Sequence, residues 1–346
     1  MKTHARDGAT LIEVLVAIFV MGIGLLALLV LFPLGAFNMA QALRADRSTQ
    51  SALNAASIAR LMPTFTPPTN TPTGQNGLRL DVNVQQGYST LNGTYPTTPP
   101  ASGPSYPVYV DPWGVKLTSS VLGVTPPNMT GTVTGIARVW PTFFSAGSAP
   151  PPATYTGVLP AQLLVMRWCT LLDDITFNDD GLPDNSQGSF NVQREGRYSW
   201  AWMLQLPSAA SIGTANWASA VESVIVYEKR QILAPMSGNQ LPDEHSYQAT
   251  FGNASDPSES SVTLIWDAST PTPPVRRGNW ILDGTMAANV HGYFYRVVEV
   301  GPVVPSGGQL TMKLQLQTPL QAGTATGAGV AILIEDVVEV YYQGLS

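Results

Sequence analysis

Glu13 is the acidic residue whose position most needs a chemical explanation, because it stands at the head of a long apolar run. Residues 14–32 carry no charged side chain, and a carboxylate placed in hydrocarbon costs roughly 3 kcal/mol. Among packed helices a buried carboxylate needs a cationic partner, whereas near a helix end it can also reach the membrane surface. The sequence therefore makes Glu13 a candidate for pairing with a cation and leaves the interfacial alternative open.

A second group of oxygen-bearing side chains lies in residues 173–185, DDITFNDDGLPDN. Loops of this composition suit a hard cation such as Ca²⁺, and the predicted ligands are Asp174, Asn178, Asp180 and Asp184. The spacing differs from that of an EF-hand loop, since Thr176 stands five residues before Gly181 and no Glu follows at the required distance. The alternative is a solvated acidic loop without a metal.

Residues suited to catalysis are few. The histidines His4, His245 and His291 are scattered, and PDEHSY (242–247) offers only an acid–histidine pair. The sequence has no nucleophile elbow, HExxH motif, phosphate-binding loop or dinucleotide fingerprint. A single cysteine, Cys169, excludes an internal disulfide and a zinc site built from cysteines. We therefore predict that the protein is not an enzyme and needs no cofactor other than the calcium considered above.

Composition limits the partners and the fold class. The chain has 346 residues, of which only 12% are charged, and a net charge of −6. It has no basic run longer than two residues, so no nucleic-acid contact is evident. Few charges together with 31 Gly and 29 Pro favour a body rich in strands and loops.

Glu13 lies near the start of a predicted long helix. Val14 to Phe32 is long enough to span a bilayer, and the basic residues before it favour a cytoplasmic N-terminus. A cleavable secretory signal is the competing interpretation, but its apolar core would be shorter, about 7–15 residues. No Gly or Pro interrupts residues 36–62, which predicts one continuous helix from Ala9 to Met62.

The remaining chain predicts an α+β protein with a β-rich, antiparallel body behind the N-terminal helix. The predicted segments are a leader (1–8), the hydrophobic assembly helix (9–62), a Pro/Thr/Gly-rich linker with a hairpin (63–105), and a globular body with room for two subdomains (106–346). The strand candidates are residues 78–84, 106–110, 131–140, 198–206, 223–233, 261–266, 292–300, 309–317 and 331–342. Residues 162–174 fit a helix or a strand equally well.

The N-terminal residues also carry a family resemblance. A short basic leader that ends in Gly8, followed by ATLIE and an unbroken apolar helix, resembles the class III signal of type IV prepilins and pseudopilins. Ala9 departs from the Phe that many members carry. The resemblance implies that a prepilin peptidase cuts between Gly8 and Ala9 on the cytoplasmic side and methylates the new N-terminus. It also implies that Glu13 pairs with the N-terminus of a neighbouring subunit.

The same resemblance implies a structural subunit of a type IV pilus or type II secretion filament. The apolar helix resembles that of the PilV- or I-type minor group. VDPWG (110–114) resembles a turn of some major pseudopilins, and the alternative, which its composition favours, is an ordinary Pro-containing turn with a packed Trp. The implied partners are the peptidase/methyltransferase, other pilins or pseudopilins, and an inner-membrane assembly platform. The body would be periplasmic and then part of a periplasmic or cell-surface filament. The alternative is a surface-displayed binding module, an adhesin or substrate-capturing domain, on a pilin-like stem.

Overall fold

The computed structural model describes most of the helix and the regular part of the body. The described residues are 10–66, 71–81, 84–85, 104–117, 121–122, 136–139, 141, 168–184, 194–207, 219–230, 244–252, 259–285, 292–321 and 328–343. The chain divides into two compact units, Met1–Thr49 and Gln50–Ser346.

One long helix, α1, begins at Leu11 and ends at Leu61. Its Ala-rich second half has high helix propensity, and Pro63 follows its last turn. Pro33 lies inside α1 without ending it. The predicted single helix over 9–62 is therefore confirmed to within two residues at its start and one at its end.

Strands make up most of the described body. In chain order they are β1 (Pro63–Thr66), β2 (Thr71–Asn76), β3 (Val108–Val110), β4 (Val121–Leu122), β5 (Ile136–Val139), β6 (Tyr198–Gln205), β7 (Val221–Glu228), β8 (Glu244–Phe251), β9 (Ser261–Asp267), β10 (Trp280–Asp283), β11 (Phe294–Ser306), β12 (Gln309–Leu316), β13 (Ala328–Ile334) and β14 (Val337–Gln343). β1 and β2 form an antiparallel hairpin directly after α1. The predicted α+β class is confirmed.

The strand predicted over 78–84 is wrong in its described part. Leu78–Leu80 is a 3₁₀ turn, and Gly77 before it has a φ of 115°, a conformation that suits glycine. The Gly77 N–H donates to the Met62 carbonyl at 2.7 Å, which curls the chain back to the end of α1. Leu78 is fully buried there. The alternating sequence therefore does indicate a buried leucine, but the leucine lies in a turn and not in a strand.

A six-stranded sheet forms the layer next to the last turns of α1, in the order β14-β7-β6-β3-β5-β4. All of its pairs are antiparallel except β3 with β5. The central strand β6, YSWAWMLQ, is buried along almost its whole length. Trp200 and Trp202 pack with the last turns of α1, whereas Ala201 and Met203 pack with the opposite layer. Because both faces of the sheet are covered, the sequence of β6 is continuously apolar rather than alternating.

The opposite layer is a closed barrel of six antiparallel strands, in the order β10-β11-β12-β9-β8-β13. The barrel strands lie in sequence between β7 and β14, which are neighbours in the sheet. The barrel has an apolar core of its own, and a second apolar cluster joins its outer face to the sheet through residues such as Leu282 and Ile332. The barrel is thus an insertion into the sheet.

Most other strand candidates correspond to strands of the sheet or barrel. Residues 331–342, predicted as one strand, form β13 and β14 around a turn at Glu335 and Asp336. The described end of the ambiguous segment 162–174 is neither a continuous helix nor a strand, and Thr170 makes only an isolated bridge with Ser199. β8 and β10 were not predicted, since EHSYQATF lacks apolar alternation and WILD is only four residues long.

Candidate functional site

Glu13 lies in the first turn of α1, and its side chain caps the start of the helix. The Thr10 N–H donates to Glu13 Oε2 at 3.1 Å, and the Thr10 hydroxyl approaches the same oxygen at 3.4 Å. The Glu13 N–H in turn donates to the Thr10 carbonyl at 3.0 Å. A side chain at the third helical position that reaches back to the start of the helix is one half of a capping box. In the single chain, the Glu13 carboxylate therefore satisfies a backbone donor that would otherwise have no partner.

The apolar part of α1 is uncovered by the rest of the chain. Its most apolar 18-residue window has a mean hydropathy of 3.1, and none of that window is buried. By length and composition α1 could cross a membrane. Exposure reaches 81% at Leu11 and again at Phe32. A surface of this kind needs lipid or other apolar helices around it.

The glycines of this part of α1 have no packing role within the chain. A Cβ placed at Gly22, Gly24 or Gly35 would meet no heavy atom within 4 Å. Glycine weakens a helix interior by about 1 kcal/mol. Any close approach that these glycines permit must therefore involve lipid or another molecule.

The predicted cleavage residues Gly8 and Ala9 lie outside the described residues. The predicted calcium ligands are described, and they form a tight turn. Asp174 Oδ2 accepts the Arg197 N–H at 2.6 Å, and Asp180 Oδ1 accepts the Leu182 N–H at 3.0 Å.

The same turn uses the backbones of the other two predicted ligands. Asn178 N–H donates to the Leu182 carbonyl at 2.8 Å, and Asp184 N–H donates to the Thr176 carbonyl at 2.9 Å. Partial burial raises the pKa of Asp174. Among the described residues, no group of three or more His, Cys, Asp or Glu side chains is placed to hold a metal ion. Calcium binding by this loop stays a prediction.

Among the described residues, the acid that contacts His245 is Glu335, which is distant from it in the sequence. His245 Nε2 lies 2.8 Å from Glu335 Oε1 in the turn between β13 and β14, and both side chains are about one-third exposed. Glu244, the acid next to His245, points into the protein. His4 and His291 lie outside the described residues.

Sequence reasoning missed a cluster of four buried charges, which we call the ion quartet: Asp111, Arg138, Arg230 and Glu244. Arg230 binds Asp111 through both oxygens, with N–O distances of 2.7 and 2.6 Å. Arg138 Nε lies 3.4 Å from Asp111 Oδ2, and the Arg138 guanidinium also donates to Glu244. All four side chains are at most 4% exposed. Burial alone would raise the pKa of Asp111, but the two guanidinium groups lower it to about 2.

The ion quartet joins the sheet to the barrel. Asp111 follows β3, Arg138 lies in β5, Arg230 follows β7, and Glu244 begins the barrel strand β8. Between β7 and Arg230, Lys229 takes a φ of 57°, and its N–H donates to the Arg197 carbonyl at 2.7 Å. A left-handed residue other than glycine costs of order 1–2 kcal/mol. The turn at Lys229 leads directly to Arg230, which pairs with Asp111.

The DPWG turn (111–114) supplies one corner of the ion quartet. Asp111 Oδ1 accepts the Gly114 N–H at 3.0 Å, so Asp111 also caps the short helix Pro112–Leu117. Pro112 occupies the first helical position, where a missing N–H costs nothing. A Cβ on Gly114 would lie 2.1 Å from Asp111 Oδ2, which explains the glycine. The only signal for this site in the sequence was the capping pattern of Asp-Pro.

Comparison with protein families gives a match at the N-terminus. A family model described as the prokaryotic N-terminal methylation motif matches residues 4–29. Neither a curated protein nor a solved structure matched the chain. The matched range contains Gly8, Ala9, the capping box of Thr10 and Glu13, and the first part of α1.

Proposed function

We propose that the chain is a structural minor subunit of a type IV pilus or type II secretion filament, because the methylation motif at its N-terminus is typical of type IV prepilins and pseudopilins. The observation that carries this proposal is the methylation motif at the head of a helix whose apolar part is uncovered. A filament of packed helices would cover that surface.

Processing follows from the position of Gly8 and Ala9 in the matched motif. A prepilin peptidase cuts after Gly8 and methylates the new N-terminus at Ala9. Before assembly α1 anchors the chain in the inner membrane, with its N-terminus cytoplasmic and its body periplasmic. The basic residues Lys2 and Arg6 support this orientation.

Assembly then changes the partner of Glu13. In the isolated chain its carboxylate accepts the Thr10 N–H. In the filament the positively charged N-terminus of a neighbouring subunit becomes its partner, because a carboxylate among packed apolar helices is stabilised by a cation rather than by neutral donors. The size of the body, with an inserted barrel, favours a minor subunit over a compact major one.

Replacing Glu13 tests this function. We expect Glu13→Gln and Glu13→Ala to reduce incorporation into sheared filaments about tenfold or more, which corresponds to losing one buried charge pair. Membrane insertion should persist. Glu299→Gln, which removes an exposed acid of the barrel, is the control and should assemble like the unchanged protein.

Mass spectrometry of the mature N-terminus in the same cells separates processing from assembly. All variants should begin with methylated Ala9. A mature chain that begins elsewhere would contradict membership of the class, and normal assembly of Glu13→Ala would contradict the charge pairing alone.

A further inference from the structure

A pocket of about 180 Å³ lies where the end of α1 meets strand β7, within the unit Gln50–Ser346. Its charged lining consists of Arg60 of α1, Arg79 of the turn after β2, and Glu222 of β7. The lining thus combines one carboxyl group with two guanidinium groups. This excess of positive charge disfavours a metal cation, and the ligand that remains to be considered for Glu222 is a proton.

The pocket adjoins the base of the β1–β2 hairpin. Pro63 of β1 pairs with Asn76 of β2, and the next residue, Gly77, donates its N–H to the Met62 carbonyl at 2.7 Å. The turn Gly77–Leu80 therefore closes the hairpin against the end of α1. We call Met62, Gly77–Leu80 and Glu222 the hairpin clasp.

Glu222 is buried in the hairpin clasp with incomplete compensation. Its side chain is 4% exposed, and its Oε1 has no hydrogen-bond partner among the described residues. The closest charged atom to its Oε2 is Arg79 Nη2 at 3.7 Å, which is beyond hydrogen-bond distance. An ionised carboxylate in such a place loses the hydrogen bonds that water would give it, so the neutral form is favoured.

The pKa of Glu222 agrees with this geometry. Burial raises it from 4.5 to about 7, and the charges of Arg79 and Arg60 only partly oppose the change. If the turn Gly77–Leu80 moves away, water reaches the carboxyl group and its pKa returns towards the ordinary value. The closed clasp therefore binds more protons than the open one, and opening becomes more favourable as the pH rises from about 4.5 to about 7.

The other groups around Glu222 do not titrate in this range. Arg79 and Arg60 keep their charges. The residues opposite Glu222 on the neighbouring strands are Leu204 of β6 and Gln343 of β14, and neither is ionisable. Any pH dependence of the hairpin clasp between pH 5 and 7 is therefore assigned to Glu222.

We propose that Glu222 is the proton-binding switch of the hairpin clasp: the protonated side chain keeps the turn Gly77–Leu80 closed, and loss of the proton releases the turn and the base of the β1–β2 hairpin. The switch lies within the unit Gln50–Ser346, so the proposal does not depend on filament assembly.

Hydrogen exchange of the full chain in phosphatidylcholine nanodiscs tests the proposal at pH 5, 6 and 7. The reporting amides are those of Gly77, Leu80 and Asp81, which donate to carbonyls within the clasp and its turn. After correction for the intrinsic exchange rate, their opening equilibrium should increase about tenfold or more from pH 5 to pH 7. The amides of the central strand β6 should change less, because they open only when the whole body unfolds.

Substitutions with a matched control identify the switch. Glu222→Gln keeps the shape of the side chain and should make the opening equilibrium independent of pH. Glu222→Met is a second uncharged variant and should behave in the same way. Asp283→Asn is the control, since burial also raises the pKa of Asp283 to about 7 but Asp283 lies in the barrel strand β10, and the clasp should keep its pH dependence.

Gly77→Ala shows how an open clasp exchanges. Gly77 has a φ of 115°, which alanine adopts only with strain, so this variant should exchange rapidly at both pH 5 and pH 7. Unfolding temperatures measured at pH 5 will show that the Glu222 variants are folded.

Three results would each overturn the proposal. The first is an opening equilibrium of the clasp that stays constant from pH 5 to pH 7 in the unchanged chain. The second is the same pH dependence in β6 as in the clasp, which would mean that only the whole body opens. The third is a pH dependence that persists in both uncharged variants of Glu222.

Discussion

At the scale of single residues, the ion quartet is the feature on which the body most depends. Asp111 accepts hydrogen bonds from Arg230 and from the Gly114 backbone, and it lies beside Arg138. Removing one member of a buried ion cluster leaves the others charged without compensation, which costs far more than the cluster itself contributes.

Asp111→Asn should therefore lower the free energy of unfolding by about 3–5 kcal/mol at neutral pH. Urea unfolding of the unit Gln50–Ser346, followed by tryptophan fluorescence, measures the change. Lys313→Met is the control, because Lys313 is 60% exposed and pairs with Glu259 at the surface. Its effect should stay below about 1 kcal/mol, and an equally small effect of Asp111→Asn would show that the ion quartet is dispensable.

Glu13 could be found from the sequence, and the ion quartet could not, for a physical reason. Glu13 is conspicuous because its neighbours along the chain are apolar. Arg138 and Glu244 have unremarkable neighbours along the chain, and they meet only when β5 and β8 are assembled. A buried pair between distant residues leaves no local pattern.

At the scale of elements, the sequence predicted the helix and the strands that have a plain apolar signature. The first half of the long helix and the strand β6 are continuous apolar runs, and β12 alternates along its length. The strand predicted over 292–300 extends to Ser306 as β11. Leu78–Leu80 was predicted as part of a strand because LRL alternates. It forms a turn instead, because the Gly77 N–H donates to the Met62 carbonyl.

The end of α1 belongs to the core of the body. Ala52, Ala55, Ala59 and Met62 are buried in the cluster that contains Trp200 and Trp202. We expect a chain that begins at Gln50 to fold cooperatively, whereas a chain that begins at Pro63 loses this layer. The shorter chain should unfold at least about 5 °C lower, since several buried side chains are lost and each kcal/mol shifts the midpoint by roughly 1.5 °C in a unit of about 300 residues.

Circular dichroism on heating measures both fragments. An intermediate fragment that begins at Gln50 but carries Ala55→Asp places a charge in the same layer, and it should behave like the shorter chain. Equal unfolding temperatures for the fragments from Gln50 and from Pro63 would show that α1 does not stabilise the body.

At the scale of the whole molecule, the unit Gln50–Ser346 has three layers, with a sheet between the last turns of α1 and the inserted barrel. The sequence predicted a β-rich body but not the insertion, because β7 and β14 pair across the entire barrel. Two carboxyl groups in this unit, those of Glu222 and Asp283, are buried, and the groups around them only partly offset the cost of burying a charge. Burial raises the pKa of Glu222 to about 7 despite Arg79 and Arg60, and burial raises the pKa of Asp283 to about 7 despite hydrogen bonds from Thr285.

These shifts predict how the stability of the body depends on pH. Asp111 has a folded pKa of about 2, below its ordinary value of 3.8, so its contribution is complete above pH 4 and is lost as the pH falls towards 2. Glu222 and Asp283 have raised folded values. The folded state therefore binds more protons than the unfolded state, and stability falls as the pH rises from about 4 to about 7.

We therefore expect the free energy of unfolding of the unit Gln50–Ser346 to be greatest near pH 4–5 and to decline towards neutrality, as measured by urea titrations at a series of pH values. Glu222→Gln and Asp283→Asn keep the shapes of the two side chains and remove their charges. Each should flatten the decline between pH 4 and 7, and the double variant should flatten it most.

Removing Arg79, which lies 3.7 Å from Glu222, should have the opposite effect on the pH dependence. Arg79→Met should steepen the decline, because the Glu222 carboxylate then loses a compensating charge. A profile that rises from pH 4 to 7 in the unchanged protein would mean that neither carboxyl group is held protonated by burial.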